Sequence, residues 1–598
     1  MTLPDPQQPP APSRREGRLL RLLKVRVWVF EHFRPSEQAV TLFWAGLIGF
    51  LGATSSLAYK AAVEGVHRLV TGHSGSYVET FAHLSWWERL LIPAAGGALA
   101  GLVLQLGRRI VPQRHSTDYM EAIVIGEGVV PVRATAVKCA SALFTIASGG
   151  SIGREGPLVQ LSSMLASVVG RLRSFPTVRK RLLVACGAAA GIAAAYNAPI
   201  GGAMFVAEII LGSVAMESFG PLVFASVIST LTIRHFYGSG PLYQMYMPAA
   251  NLNTTWEIIP YMLLGLVAGV MAPWFLRLLR GSEAAFSKLN APPSVRLTLG
   301  GLLVGAMAML HPEVCGNGYS TLNELLHGGW LWQTLLVILA FKLFATAVTF
   351  GSGAVGGVFT PTLFSGACLG YLFAQGVQTF WPGPPLAPIA FAVVGMGAFL
   401  AATTHAPLMA IIMLFELTLN HQLILPLMLA CVIAHYASLA FEKRSIYADS
   451  LLRKGSAQFE HRLEHMLVGD LMKTDPVTVR MNAPFTDIAQ QFVTNRFNYL
   501  YVTDPQGLFK GAISLHDIKS YLHEPDLAAL VIAGDIVRSP FPTIGVGESM
   551  QSALEKFSRH DGERLPVLAE SGKRLIGSLA KTDLLLALAE RQSKPETA

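Results

Sequence analysis

The sequence predicts an all-α, polytopic membrane body with broken, tilted helices, followed by a smaller α/β unit built as a tandem repeat. Three observations carry this. With 52% hydrophobic residues, 14% charged residues and a mean hydropathy of +0.45 over 598 residues, the chain does not fit a soluble multidomain enzyme. Positions 461 to 598 are different: they hold 15 basic and 17 acidic residues, about 23% charged, near the soluble norm. Finally, apolar stretches recur from Ala39 to Ala440, and Gly and Pro interrupt many of them.

Arg14, Arg15, Arg18, Arg21, Lys24 and Arg26 precede the first long apolar stretch, so the positive-inside rule places the N-terminus in the cytoplasm. The net charge of +8 thus reports topology, and no nucleic-acid partner is expected. Arg18 to Phe33 alternates basic and apolar residues and reads as a membrane-surface helix rather than a cleavable signal. Apolar stretches follow at Ala39–Tyr59, Leu90–Leu106, Arg181–Leu211, Ile258–Phe275, Leu335–Val348 and Leu423–Leu439. Several are shorter than the roughly 20 residues that cross a bilayer. They are broken at Gly149-Gly150, Gly153, Gly156-Pro157, Gly356-Gly357 and Pro361. Non-helical backbone at bilayer depth is tolerated only where protein buries it or where it lines a polar cavity, so these breaks point to a solute site. Cys139, Cys186, Cys315, Cys368 and Cys431 are odd in number and lack metal-ligand spacing, which predicts buried thiols and no metal.

An internal repeat orders the body. Gly187 to Ile209 aligns without gaps on Gly395 to Leu417 with seven of 23 positions identical, including Ala198-Pro199 with Ala406-Pro407 and Glu208 with Glu416. Upstream, Ser148 to Pro157 (SGGSIGREGP) matches Ser352 to Pro361 (SGAVGGVFTP). Transporters of this build place their solute where broken helices of both repeats converge. Glu155 lies among those glycines, with Arg154 as the one other charge between Cys139 and Gly170. A charge at the bilayer centre costs about 2.5–3.5 kcal/mol even on lenient scales, so Glu155 should face water or a helix N-terminus, or be neutral. A surface Glu155–Arg154 pair is the bland alternative, disfavoured because adjacent helical residues do not face each other. A helix beginning at such a loop offers unpaired N–H groups to an anion without a strong grip. A carboxylate there competes with the permeating anion.

GREGP at Gly153 to Pro157 and GVFTP at Gly357 to Pro361, with the duplicated Ala-Pro helices, resemble the CLC family of chloride channels and chloride/proton antiporters. The resemblance implies a homodimer in the lipid bilayer with one pore per subunit, an inverted repeat, and anion sites at half-helix N-termini. Glu155 matches the gating glutamate. Amides near Arg154 to Gly156 and at Val358 and Phe359 match the anion-coordinating ones. Tyr447 matches the tyrosine closing the inner side of the site; otherwise it reads as an interfacial belt residue.

Two departures stand out. The element that lends a serine hydroxyl to the anion reads His115-Ser-Thr-Asp-Tyr-Met-Glu121 and lacks its glycines. Ser116 or Thr117 remains to supply the hydroxyl, as in a variant that resembles the bacterial ClcB-type branch. The antiporters' second, proton-relaying glutamate should follow Glu208, where this chain has Ile209. Glu208 is the remaining relay candidate, with a structural role weighed above it. His405, opposite Asn197 in the repeat, is expected to cap or pack.

In the tail, Val468-Gly-Asp-Leu-Met through Asp517 is echoed by Ala533-Gly-Asp-Ile-Val through Asp583. The closing Gly-x-x-Ser/Ala-x-x-Asp steps resemble cystathionine-β-synthase-type (CBS) domains, which in tandem bind adenine nucleotides. Ser514 and Asp517 suit a ribose-phosphate, whereas Ala580 has lost the hydroxyl beside Asp583. A structural tail and an ATP or AMP sensor both fit, and no cofactor is required. The expected boundaries are 1–33 for the N-terminal tail, 34–447 for the transport body, 448–467 for a linker, and 468–525 and 531–590 for the CBS pair. The expected function is a gated chloride channel, or a weakly proton-coupled pathway, in the bacterial inner membrane with the CBS pair cytoplasmic. A stoichiometric chloride/proton antiporter is the alternative, and a fluoride exporter a weaker one. No nucleophile–base pair or metal cluster argues for an enzyme.

Overall fold

A computed structural model describes residues 37–110, 118–243, 258–448, 466–494, 499–518, 530–558, 564–569 and 573–583, save positions 74, 125, 384 and 475, together with Trp256 and Tyr521. The basic segment from Arg18 to Phe33, most of the linker, and Ser116 and Thr117 lie outside the described residues. The chain divides into two units after Leu451.

The first unit begins with α1 (Glu37–Thr71), α2 (Tyr77–His83), α3 (Trp86–Ile110), α4 (Tyr119–Val124), α5 (Val132–Ala147), α6 (Glu155–Leu172), α7 (Thr177–Tyr196), α8 (Pro199–Met204) and α9 (Met216–Tyr237). A π-helical turn, Phe205–Ile210, extends α8. The second half contributes α10 (Ile258–Lys288), α11 (Pro293–Leu310), α12 (Tyr319–Leu325), α13 (Trp332–Gly351), α14 (Phe359–Gln378), α15 (Pro388–Thr404), α16 (Pro407–Thr418) and α17 (Ile424–Phe441). Among the described residues 7 helices are long and apolar enough to cross a membrane: α1, α3, α9, α10, α11, α13 and α17. The protein is a multi-pass integral membrane protein.

The long apolar stretch from Arg181 to Leu211 is not one helix. Asn197 ends α7 with φ 56 and His405 ends α15 with φ 57, the left-handed conformation in which Asn and His are enriched. The following Pro199 and Pro407 occupy the first turn of α8 and α16, where a missing N–H costs nothing. The expected capping role of His405 is thus what the backbone shows.

Helices α3 and α11 cross where side chains are absent. A Cβ on Gly97 would stand 2.2 Å from the Leu297 carbonyl oxygen, and one on Gly301 2.1 Å from that of Pro93. One turn on, Gly101 meets the backbone of Ser294 and Gly305 that of Leu90. Contact partners fall in sequence as the glycine numbers rise, so the helices are antiparallel. Exchanging the halves maps Gly97 on Gly301 and Leu297 on Pro93. An antiparallel crossing that maps onto itself makes the repeat an inverted one.

The second unit is α/β. Strands β1 (Lys473–Thr474), β2 (Thr478–Arg480), β3 (Tyr499–Thr503), β4 (Phe509–Ser514), β5 (Ile544–Gly545), β6 (Arg564–Leu568) and β7 (Leu575–Ala580) alternate with helices α18 (Phe485–Thr494), α19 (Ala533–Ile536) and α20 (Met550–Ser558). They form the sheets β1-β7-β6-β5 and β2-β3-β4. Each half has its own core, around Ile488, Leu500 and Ile513 in the first and Met550, Leu565 and Leu579 in the second. β1 of the first half pairs with β7 of the second, and Arg538 bridges back to Ala512 of β4, so the two halves exchange a strand segment.

Replacing Gly97 or Gly301 with Val should lower stability by about 1–3 kcal/mol each, the usual range for overpacking. Thermal unfolding of the purified protein checks this, and an unchanged midpoint would separate the two helices at that point.

Candidate functional site

The two broken-helix loops meet each other. The Gly153 N–H donates to the Gly357 carbonyl at 2.6 Å and the Gly357 N–H to the Gly153 carbonyl at 2.9 Å. This antiparallel bridge joins repeat-equivalent residues. It satisfies backbone groups that lipid cannot and sets the N-terminus of α6 beside that of α14. Gly156 packs on Gly356, where an added Cβ would lie 3.1 Å from its carbonyl carbon.

Glu155, the first residue of α6, is 4% exposed. Its Oε1 accepts hydrogen bonds from the Tyr196 and Thr360 hydroxyls and from the Thr360 N–H at 3.3 Å. That N–H lies in the first turn of α14, where helix geometry provides no partner within the helix. The carboxylate therefore reaches across from one repeat to the helix start of the other. Its Oε2 has no hydrogen-bond partner among the described residues and lies over the glycine bridge, 1.8 Å from where a Cβ on Gly153 would stand and 2.7 Å from one on Gly357. A side chain at either position would meet the Glu155 carboxylate where it now lies.

Of the residues singled out from sequence, Arg154, Glu155, Gly156, Val358 and Phe359 come together here. Tyr447 reaches the site through a chain of ring contacts: it meets Phe205 edge-on at 5.3 Å, Phe205 meets Phe359 edge-on at 6.5 Å, and Phe359 meets Tyr196 at a tilt at 4.8 Å. Tyr196 and Thr360 were not singled out. Thr360 stands in GVFTP where the first repeat has Gly156, so a hydroxyl at a helix start was the available signal. Tyr196 faces Thr404 in the repeat alignment and gave none.

Glu208 and Glu416 perform the same task for each other's repeat. Glu208 accepts from the Leu408 and Met409 N–H groups at 3.2 and 2.6 Å, at the start of α16. Glu416 accepts from those of Ile200 and Gly201 at 3.0 and 2.7 Å, at the start of α8. Both oxygens of each carboxylate hold a helix N-terminus against its dipole.

In the second unit Asp517 accepts from Ser514 N–H at 2.9 Å and its hydroxyl at 2.7 Å and pairs with Arg538. Burial would raise its pKa, but the Ser514 donors and the Arg538 guanidinium hold it below the usual carboxylate range. Asp583 lies 3.4 Å from Lys473. Lys473 and Arg538 occupy equivalent places in the two halves, so the pairs are reciprocal. An open polar cleft of about 670 Å³ near Arg480, Asn482 and Asp487 includes neither Ser514 nor Asp517. Among the described residues no group of His, Cys, Asp and Glu is arranged to hold a metal.

Comparison with known proteins matches residues 96–439 to the voltage gated chloride channel family, and residues 468–524 and 533–590 to the CBS domain. A putative chloride channel protein ClcB-like of Ralstonia nicotianae is 49% identical over 68% of this chain and 96% of its own. The voltage-gated ClC-type chloride channel ClcB of Salmonella typhi is 39% identical over 70% and 99%. Among solved structures, a slow cyanobacterial Cl−/H+ antiporter superposes with a TM-score of 0.62 at 24% identity, covering 70% of this chain and 99% of that one. A CLC-type fluoride/proton antiporter gives 0.56 at 20%, covering 69% and 97%.

Glu208→Gln keeps an acceptor for the α16 N-terminus and should be tolerated, whereas Glu208→Ala should cost about 1–2 kcal/mol, as lost N-terminal caps do; thermal unfolding of both variants measures this. In the second unit, a depressed Asp517 contributes stability that is present above its unfolded pKa of about 4 and is lost as pH falls through its lower folded value. NMR titration of that carboxyl should show the depression, and Arg538→Ala should reduce it.

Proposed function

The chain belongs to the voltage gated chloride channel family, and from that premise we propose that it conducts chloride across the bacterial inner membrane, passively or with weak proton coupling, with Glu155 as its gate. One observation carries the reading: the Glu155 carboxylate sits on the free N–H of Thr360 at the start of α14. A halide bound by such amides would hold the same seat, weakly enough to leave. Chloride passage then requires the carboxylate to be protonated or displaced, and the Tyr196 and Thr360 hydroxyls hold the closed position. In this reading the Val358 and Phe359 amides join in coordinating the anion, and the Tyr447 hydroxyl closes the inner side of the site.

Ile209 favours weak over fixed coupling, because it cannot carry a proton. Glu208 favours it too, since both its oxygens already accept backbone N–H groups. Stoichiometric chloride/proton exchange is the second reading, supported by the likeness to structures described as Cl−/H+ and fluoride/proton antiporters. Fluoride export rests only on the altered segment from His115 to Glu121.

Orientation follows the positive-inside rule. Arg179 pairs with Glu37 at 3.7 Å, which sets the basic cluster Arg171, Arg173, Arg179, Lys180 and Arg181 at the end where α1 begins. Those charges and the N-terminal arginines favour a cytoplasmic location for that end, and the CBS pair is read as cytoplasmic as well. Exposed apolar residues on α8, α9, α16 and α17, among them Ile200, Leu231, Leu408 and Leu425, suit a second copy of the chain. The CBS pair would tune opening. An adenine nucleotide at Ser514 and Asp517 would first have to displace Arg538, while Asp583 pairs with Lys473 and has Ala580 where the first half has Ser514.

In liposomes with a chloride gradient, anion efflux with little accompanying pH change is expected; a fixed proton count per chloride would instead establish the exchanger. Glu155→Gln should leave the path open and flatten the pH dependence of flux, and an unaltered profile would remove Glu155 from the gate. Calorimetric titration with ATP or AMP tests the tail, where no saturable heat leaves a structural role alone.

A further inference from the structure

Lys342 is the one lysine among the described residues that is 0% exposed, and it lies midway along the apolar helix α13. An ammonium in such a place is expensive unless its donors are used. Its Nζ donates to the Val314 carbonyl at 2.8 Å and the Gly316 carbonyl at 2.7 Å and lies 5.8 Å from the centre of the Phe364 ring. The loop that supplies those carbonyls is shaped around it. Gly316 and Gly318 have φ of 65 and 89, and a Cβ on Gly318 would stand 3.3 Å from the Lys342 Cε.

That loop leads to the candidate site. The Gly316 N–H donates to the Gly149 carbonyl at 2.9 Å, at the start of the broken segment that ends in Glu155. One turn along α13 from Lys342, the Thr346 hydroxyl meets that of Ser151 at 3.1 Å. Phe364 belongs to α14, whose first turn holds the Glu155 carboxylate. The ammonium thus touches, directly or through one hydrogen bond, both segments that present N–H groups to the site. Lys138 stands ten residues before Ser148 as Lys342 stands ten before Ser352, so the repeat carries a lysine at both equivalent positions.

We propose that Lys342 is a positioning residue for anion binding: its Nζ fixes the loop from Val314 to Gly318 against the Gly149–Glu155 segment and, in its protonated form, places a positive charge behind the paired half-helix starts. The proposal rests on the reading of those starts as an anion site. A fixed cation outside the permeation path raises affinity without the tight direct grip that would stop conduction, because its field acts through a medium of low dielectric.

Calorimetric titration of the purified full-length protein with chloride tests this at one pH, with Lys342→Gln and Lys342→Arg beside the unaltered chain. Gln keeps donors for the two carbonyls and removes the charge; Arg keeps the charge. Chloride affinity should fall at least fivefold in Gln at a similar thermal midpoint and stay within twofold in Arg. An unchanged affinity in folded Gln protein, or an equal loss in both variants, overturns the proposal. Should the Gln chain fail to fold, Arg decides: affinity within twofold supports the charge requirement, and a loss beyond fivefold refutes it. If the unaltered chain itself binds no chloride, the anion-site reading fails, which is a distinguishable result.

Discussion

The pair of hydrogen bonds between Gly153 and Gly357 is the constraint on which the rest depends. Two helices cannot stop and start inside a bilayer unless the exposed backbone at the break finds partners. Here each break partners the other. The bridge itself uses only main-chain groups, and the space left by the two missing side chains is what the Glu155 carboxylate fills. A rigid bridge also keeps the α6 and α14 starts at fixed separation, so a carboxylate anchored on one can reach the amides of the other.

Much of the membrane unit was legible because its signals are local. Glycine and proline at GREGP and GVFTP announce helix breaks, Ala-Pro pairs announce helix starts, and a lone glutamate in apolar surroundings announces a site. The repeat added order, since matched segments must adopt matched folds. The π-helical turn at Phe205–Ile210 left no comparable trace, because a shift of one residue in hydrogen bonding has no composition of its own. The closely packed α3–α11 crossing was written in Gly97, Gly101, Gly301 and Gly305, yet the glycines read as ordinary membrane content until their contacts placed them.

What sequence could not supply is long-range pairing. Tyr196 and Thr360 are 164 positions apart, and nothing in either neighbourhood names the other. Glu208 and Glu416 were correctly matched as equivalents, but their crossed pairing, each with the opposite helix start, needs three dimensions. In the tail the repeat pattern gave the strand and helix alternation, while the exchange of β1 into the other half's sheet, and with it the Lys473–Asp583 and Arg538–Asp517 pairs, follows from topology alone. Ser116 and Thr117 fall outside the described residues, so the altered serine element adds nothing to the geometry.

The crossed glutamate caps bear on how such a protein arises. Half of this body, standing by itself, would leave two amide hydrogens bare at one helix and a carboxylate without takers at another. Beside an identical half inserted upside down, both deficits vanish together. The architecture is therefore self-completing only as an antiparallel couple, and fusing two such partners into one polypeptide preserves what each already needed from its mirror-oriented twin. Thereafter a change at either glutamate is felt at a helix start of the opposite half, through main-chain groups that any residue but proline supplies.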